Sequence, residues 1–383
     1  MTLPLRLRIM ILFGLHAMLV GGLFARLAEV QRALGLSEQM FGLALAALPI
    51  GGFAGTIMAP GLAERYGTRR LMLAFYPLAA IIPALVGAAA GFAGLFAGLF
   101  GFGLVLAATS IASNVEADRV ALATNAPLIA RSHGTWGIGF LVSSLLSALA
   151  IRAGISPMQQ FWVMAGVLGL GAGIIIWPLR QSPPRPHKRN GPQPRIALPD
   201  RTTWTVLGFA LSGMVLEGVT RNWSVIYLRD AFGATDWVAA LALPAFVITQ
   251  TMGRFATDPL AARFGDAAFS RALSACALLG LVGLIFTGSI WLALLACAVI
   301  GLGCASTMPM ATVAIARDTA RPSAESVAAF AIVQSGVGLA APVIYGLAAG
   351  AVDHRFALAL LMPLPVLAWL RARKISAAPL ASV

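Results

Sequence analysis

A chain of 383 residues that is 59% hydrophobic, only 11% charged and has a mean hydropathy of +0.86 is not built like a soluble domain. Soluble domains carry roughly 25% charged residues. The net charge of +13 would suit nucleic acid if it formed one patch, but the arginines are dealt out between apolar runs, which excludes that reading and favours a chain oriented in a lipid bilayer.

The chain from Leu71 to Val115 holds no Asp, Glu, Lys or Arg, and neither does the chain from Ala272 to Ala316. Each block has 45 residues. As one helix each would be about 67 Å long, against a hydrocarbon core of roughly 30 Å, so each is predicted to be a hairpin of two spanning helices, turning near Gly91 and Ser289. The remaining apolar runs extend the series. Spans are predicted near 8–30, 40–62, 70–90, 92–115, 128–151, 157–179, 203–229, 237–260, 270–288, 291–315, 324–350 and 355–371. The fold class is an all-α membrane protein with twelve transmembrane helices.

The first run follows Arg6 and Arg8, is too long for a signal-peptide core and lacks a small-residue cleavage site, so it reads as a retained first helix. With both termini inside, the cytoplasmic segments hold Arg65, Arg69, Arg70, Arg119, Arg131, Arg263, Arg271, Arg317 and Arg321, the cluster Arg180–Arg201 and the tail Arg371, Arg373 and Lys374. The opposite side holds Arg26, Arg32, Arg152, Arg229 and Arg355. That asymmetry predicts a multi-pass protein of the bacterial inner membrane with both termini cytoplasmic. Cys276, Cys297 and Cys304 all fall inside predicted spans and read as packing residues, not as a disulfide framework or metal site.

The chain also repeats itself. At an offset of 198, residues 34–67 lie over 232–265 without a gap, matching Gly35 with Gly233, Gly55 with Gly253, Arg65 with Arg263 and Gly67 with Gly265. The same offset pairs Gly103 with Gly301, Thr109 with Thr307 and Arg119 with Arg317. Leucine and alanine matches are cheap in an apolar chain; arginine and glycine matches at one offset are not. Between the copies runs RQSPPRPHKRNGPQPR (180–195), whose prolines cannot continue a helix and whose charges hold it in water. The predicted organisation is a six-helix bundle over 1–180, a cytoplasmic basic linker over 181–202 and a second six-helix bundle over 203–383. Two parallel repeats with a site near mid-membrane are how many secondary transporters are built. There is no GxxxxGK[ST] for a nucleotide, no Ser/His/Asp set and no metal-spaced His/Cys cluster, so neither an enzyme nor a cofactor is expected.

The stretch PGLAERYGTRR (60–70) resembles the loop between the second and third helices of the major facilitator superfamily, a pattern of roughly G-x-L-A-D-R-x-G-R-R. Pro60 replaces the first glycine, Glu64 the aspartate and Thr68 the first arginine after Gly67; the second copy, DPLAARFG, has Ala262 at the acid position. The resemblance implies a gating latch at the cytoplasmic face, built from Glu64, Arg65, Arg69 and Arg70 with Glu116 or Asp118 as partners. Arg263 is its second-copy counterpart, and Arg254 with Asp258 reads as a further latch element. The alternative is that these arginines only anchor the chain. SNVEADRV, STMPMATVA and EGVTRNWSVIYLRD are similar to stretches of the fucose-permease-like branch of sugar:proton symporters.

Within the spans, Glu217 and Arg221 stand one turn apart near the midplane of the seventh. A charge there costs roughly 2.5–3.5 kcal/mol, so the pair marks either a packing device or a proton-coupling site. Asn222 and Trp223 offer an amide and a flat apolar face for a polar ring; Gln250 and Gln334 offer deep amides; His133, near Trp136, is a candidate relay. His16 carries less support, and Arg26 with Glu29 reads as an exposed helix-end pair. The expected function is secondary transport, proton-coupled and for a small polar, sugar-like solute, by a monomer in the lipid bilayer. Efflux of amphipathic compounds and a membrane sensor that binds without transporting are the alternatives.

Overall fold

The structure, a computed structural model, describes residues 3–124, 128–179, 198–316 and 323–375. The predicted linker falls outside these residues as far as position 197, and so do Arg317 and Arg321. No strand occurs among the described residues. Among the described residues, twelve helical stretches are long and apolar enough to cross a membrane, from Leu5–Ala33 to His354–Arg373; their ends fall within about five residues of the predicted spans except that the fourth runs on to Thr124, beyond the predicted 115. The chain divides into two compact units, Met1–His187 with Thr235–Pro244, and Lys188–Ala234 with Ala245–Val383.

In the first unit, α1 (Leu5–Phe24) and α2 (Leu27–Ala33) make one span broken at Ala25 and Arg26. A second broken span, α3 (Glu38–Leu45) and α4 (Ala47–Tyr66), is followed by α5 (Thr68–Gly87), α6 (Phe92–Thr124), α7 (Leu128–Arg152) and α8 (Pro157–Ile176). α1 packs on α7, α4 on α6, and α5 on both α6 and α8. Their shared core includes Phe13, Met72, Tyr76, Ala112 and Ile176. On the outer face of α8, Leu170 and Ile174 are each 71% exposed, an i, i+4 apolar pair that water would not tolerate at such density and lipid would.

The second unit begins with α9 (Arg201–Phe232); the chain then passes through α10 (Asp236–Ala240), which belongs to the first unit, into α11 (Ala242–Phe264), which joins the second unit from Ala245 on. Next come α12 (Asp266–Phe286), α13 (Ile290–Cys304), α14 (Thr307–Ala316), α15 (Ser323–Ala351), α16 (His354–Ala359) and α17 (Pro363–Ile375). α9 packs against α13, α14, α15 and α17, and Phe209, Ala311, Ile315 and Phe330 lie at the centre of that packing. Asp200 caps α9, accepting from the Thr203 amide at 2.8 Å. In the first unit, the Thr235–Pro244 segment is tied down by Arg32, which grips Asp236 with two bonds of 2.8 and 2.9 Å, and by Arg152 over the Trp237 ring.

The 198-residue repeat is visible in backbone detail. Gly35 and Gly233 both sit at φ near +60°, and Gly67 and Gly265 at +83° and +82°, values that side-chain-bearing residues rarely adopt. A Cβ on Gly103 would meet the Leu48 carbonyl oxygen at 2.0 Å; on Gly301 it would meet that of Phe246 at 2.1 Å. Leu48 and Phe246 are themselves 198 apart. In both units, then, the second and fourth spans touch through the backbone, which only glycine permits.

Candidate functional site

Glu217 is the centre of a charged cluster inside the second unit. Its Oε1 takes Arg221 of the same helix at 2.7 Å, the i, i+4 pairing the spacing predicts. Its Oε2 faces Arg254 of α11 at 3.6 Å. Arg221 also donates to Oε1 of Gln250 at 3.0 Å. Gln250 and Arg254 are themselves i, i+4, so one turn of α11 faces one turn of α9. Arg254 donates through Nε to the Ala305 carbonyl at 3.2 Å, where the tenth span breaks between α13 and α14 and leaves that carbonyl without a helical partner. Glu217 and Arg221 are each 17% exposed and Arg254 is 37% exposed. The cluster is thus desolvated on one side and reachable on the other.

Not every expected residue joins it. Asn222 is half-buried and donates to the Gly218 carbonyl of its own helix at 2.7 Å. Trp223 is fully buried, with its ring 5.1 Å from Tyr345 and 6.1 Å from His354. Two residues past Arg221 is about 200° round a helix, so Trp223 faces away from the cluster and offers no open face to a solute, contrary to the sequence expectation. Gln334 is exposed on α15.

In the first unit, His133 is exposed and sets its ring edge-on to Phe13 at 5.3 Å. The histidine at the heart of that bundle is His16. Trp136 donates to its Nδ1 at 3.2 Å, and its Nε2 lies 3.1 Å from the Leu106 carbonyl. One nitrogen accepts and the other faces an acceptor, which fixes the neutral Nε2–H tautomer. Tyr76 stands edge-on to His16 and shares hydrogen bonds with Ser113 at 3.0 Å and the Leu12 carbonyl at 3.2 Å.

The latch residues divide. Glu116 is buried and takes Thr68 and Arg119, the latter at 2.8 Å, with Arg119 also 3.3 Å from Thr68. Arg69 crosses to the end of α8, donating to the Trp177 carbonyl at 2.6 Å and lying over its ring. Arg65 covers Tyr66 and, 198 residues on, Arg263 covers Phe264. Glu64, Arg70 and Asp258 are exposed and Asp118 is half-buried. Arg254, read as a latch partner of Asp258, instead faces Glu217. Arg26 departs furthest from expectation: it is fully buried, holding Glu29 at 2.5 Å, Gln160 at 2.7 Å and the Ile155 carbonyl at 2.8 Å. Its neighbours in sequence gave no sign of this, because Gln160 comes from α8.

Residues 9–343 match the model of the Major Facilitator Superfamily. An uncharacterised transporter of Sinorhizobium fredii is 26% identical over 348 residues, 90% of each chain. Among solved structures, a mutant of the nucleoside transporter NupG superposes with a TM-score of 0.78 at 14% identity, covering 97% of this chain and all of the other. A D-xylose-proton symporter superposes with a TM-score of 0.70 at 16% identity, covering 97% and 98%. At those identities the likeness is one of fold.

Proposed function

Because the chain belongs to the Major Facilitator Superfamily and is a multi-pass secondary transporter, we infer that it couples solute movement to protons through Glu217, with Arg221 as modulator. The observation that carries this is the Glu217–Arg221 contact of 2.7 Å in the apolar body of α9, only partly desolvated. A carboxylate that must be either paired or protonated is a switch: when Arg221 turns to a solute, Glu217 takes a proton, and when it turns back the proton leaves. The solute is small, polar and sugar-like, and moves by alternating access.

The arginine distribution supports a reading with both termini on the cytoplasmic side of a bacterial inner membrane, and in that reading the protein works as a monomer whose outer face meets lipid. The halves 1–180 and 203–383 are the moving parts, joined by the basic linker. Glu116 with Arg119 and Thr68, and Arg69 with the end of α8, brace the cytoplasmic end of the first half as gating elements.

The test is solute-driven proton flux. Proteoliposomes filled with a pH-sensitive dye are given hexoses, pentoses and polyols in turn. Lumenal acidification by one of them, absent in Glu217→Gln while counterflow of the same solute persists, supports the reading. Counterflow with no proton movement in the wild type would overturn it.

A further inference from the structure

Among the described residues, the cluster around Glu217 holds two positive charges against one negative. Two guanidiniums, Arg221 and Arg254, share a single carboxylate, one on each oxygen, at 2.7 and 3.6 Å. Beside them Gln250 is 1% exposed, and while its Oε1 accepts from Arg221, its amide nitrogen Nε2 has no hydrogen-bond partner among the described residues. A buried donor left unmet costs about 1–3 kcal/mol, so native proteins seldom keep one without a use. Cys304 borders the cluster within electrostatic reach of all three ions but is a thiol and supplies no countercharge. The more exposed of the two arginines, Arg254, is the one held less closely by Glu217.

The geometry points to a site for a carboxylate-bearing solute, bound by Arg254 and the Gln250 amide, with Arg221 joining as Glu217 is protonated. This rests on the proton-coupled transport reading and narrows its solute from polar to anionic. A monoanion brings the cluster to neutrality while Glu217 is ionised. Once Glu217 takes a proton, both guanidiniums are released to the solute, so proton and anion each strengthen the other's binding, as linkage requires. A neutral sugar would leave the surplus charge in place.

Among the described residues, the other titratable and charged groups near α9 do not alter this balance. Tyr345 stacks on Trp223, and Arg371 lies against Gly208, about 13 Å along the helix from Glu217. Asp258 is exposed one turn beyond Arg254, and Cys297, Glu325 and Arg373 lie further along their own helices.

The experiment compares solutes matched in all but the carboxylate: D-glucuronate with D-glucose, benzoate with benzyl alcohol, and lactate with propane-1,2-diol. Thermal stabilisation of the purified full-length protein is measured against concentration at two pH values. The expected result is stabilisation by an acid and not by its neutral partner, tighter at the lower pH. Its dissociation constant should rise about tenfold or more in Arg254→Gln and recover in Arg254→Lys. Glu217→Gln should bind the same acid with no pH dependence. Stabilisation by neutral members only, by both members of a pair equally, or by no acid up to 50 mM (roughly the weak end of small-ligand affinity) overturns the anionic site. Should an acid bind as expected but drive no proton flux in proteoliposomes, the site stands and the transport reading fails.

Discussion

Arg254 of α11 faces the Glu217 oxygen that Arg221 leaves free, so the carboxylate bridges two guanidiniums inside the second unit. Removing it turns an attractive triad into a like-charge pair. Glu217→Leu should destabilise the protein by about 1–3 kcal/mol, less than a fully dry ion pair because both partners keep some exposure. Adding Arg221→Leu should recover part of that loss. A double-mutant cycle by thermal melting checks it, and strictly additive costs would show that the two side chains are not coupled.

The repeat-related glycines make a sharper test, because they isolate packing from charge. Gly103→Ala and Gly301→Ala each drive a methyl group onto a backbone carbonyl of the neighbouring span, at 2.0 and 2.1 Å in the unrelaxed structure. Neither carbonyl can rotate away without breaking its own helix. Each substitution should cost on the order of 3 kcal/mol or more, read as a fall in melting temperature. Gly166→Ala on α8, where a Cβ meets nothing within 4 Å, is the control and should be neutral or slightly stabilising.

What the sequence carries most clearly is what lies within one helix or recurs between halves. Charge-free blocks gave the hairpins, and the 198-residue offset gave the doubled bundle; that its paired Gly103 and Gly301 are backbone contacts is visible only in the structure. Glu217 with Arg221 was legible because the pair is a single turn of α9. Arg254 was not, since its partner lies on another helix; the available hint was that Gln250 and Arg254 repeat the same one-turn spacing. At the 198 offset the first copy has Leu19, Leu23, Gly52 and Thr56 where the second has Glu217, Arg221, Gln250 and Arg254. The cluster is therefore an addition to the repeated scaffold and not part of it. His16 and Arg26 are hard to read from sequence for the same reason as Arg254: their partners Trp136 and Gln160 come from α7 and α8, more than 100 residues away.

Arg26 is the most deeply buried charge described in the first unit, and its three partners come from two segments. The break between α1 and α2 falls at Ala25 and Arg26, so the guanidinium closes the gap that the break opens, reaching Gln160 and the Ile155 carbonyl on one side and Glu29 on the other. Arg26→Ala strands Glu29 and should cost about 3–5 kcal/mol. Arg26→Lys keeps the charge but not the planar fork, and should fall between the two. Arg26→Met with Glu29→Gln removes both charges while keeping volume, and should lie closer to wild type than Arg26→Ala alone. Detergent melts of the four proteins order them directly.

Thr68 stands where the superfamily loop pattern has an arginine, and the structure shows what replaces that charge. Its hydroxyl donates to Glu116, both residues are buried, and Arg119, three residues on from Glu116 in α6, supplies the guanidinium at 2.8 Å. The loop contributes a neutral donor and the charge comes from the helix it docks on. Thr68→Val preserves shape and removes the donor, leaving Glu116 with Arg119 alone, a loss of about 1–2 kcal/mol. Because Thr68 opens α5 immediately after the positive-φ turn at Gly67, that loss should be local: faster amide hydrogen exchange across Gly67–Leu71, with α1 and α7 unchanged. Thr68→Ser keeps the donor and should exchange like the wild type. Faster exchange in the serine variant with none in the valine variant would assign the effect to the methyl group's packing and not to the hydrogen bond on Glu116.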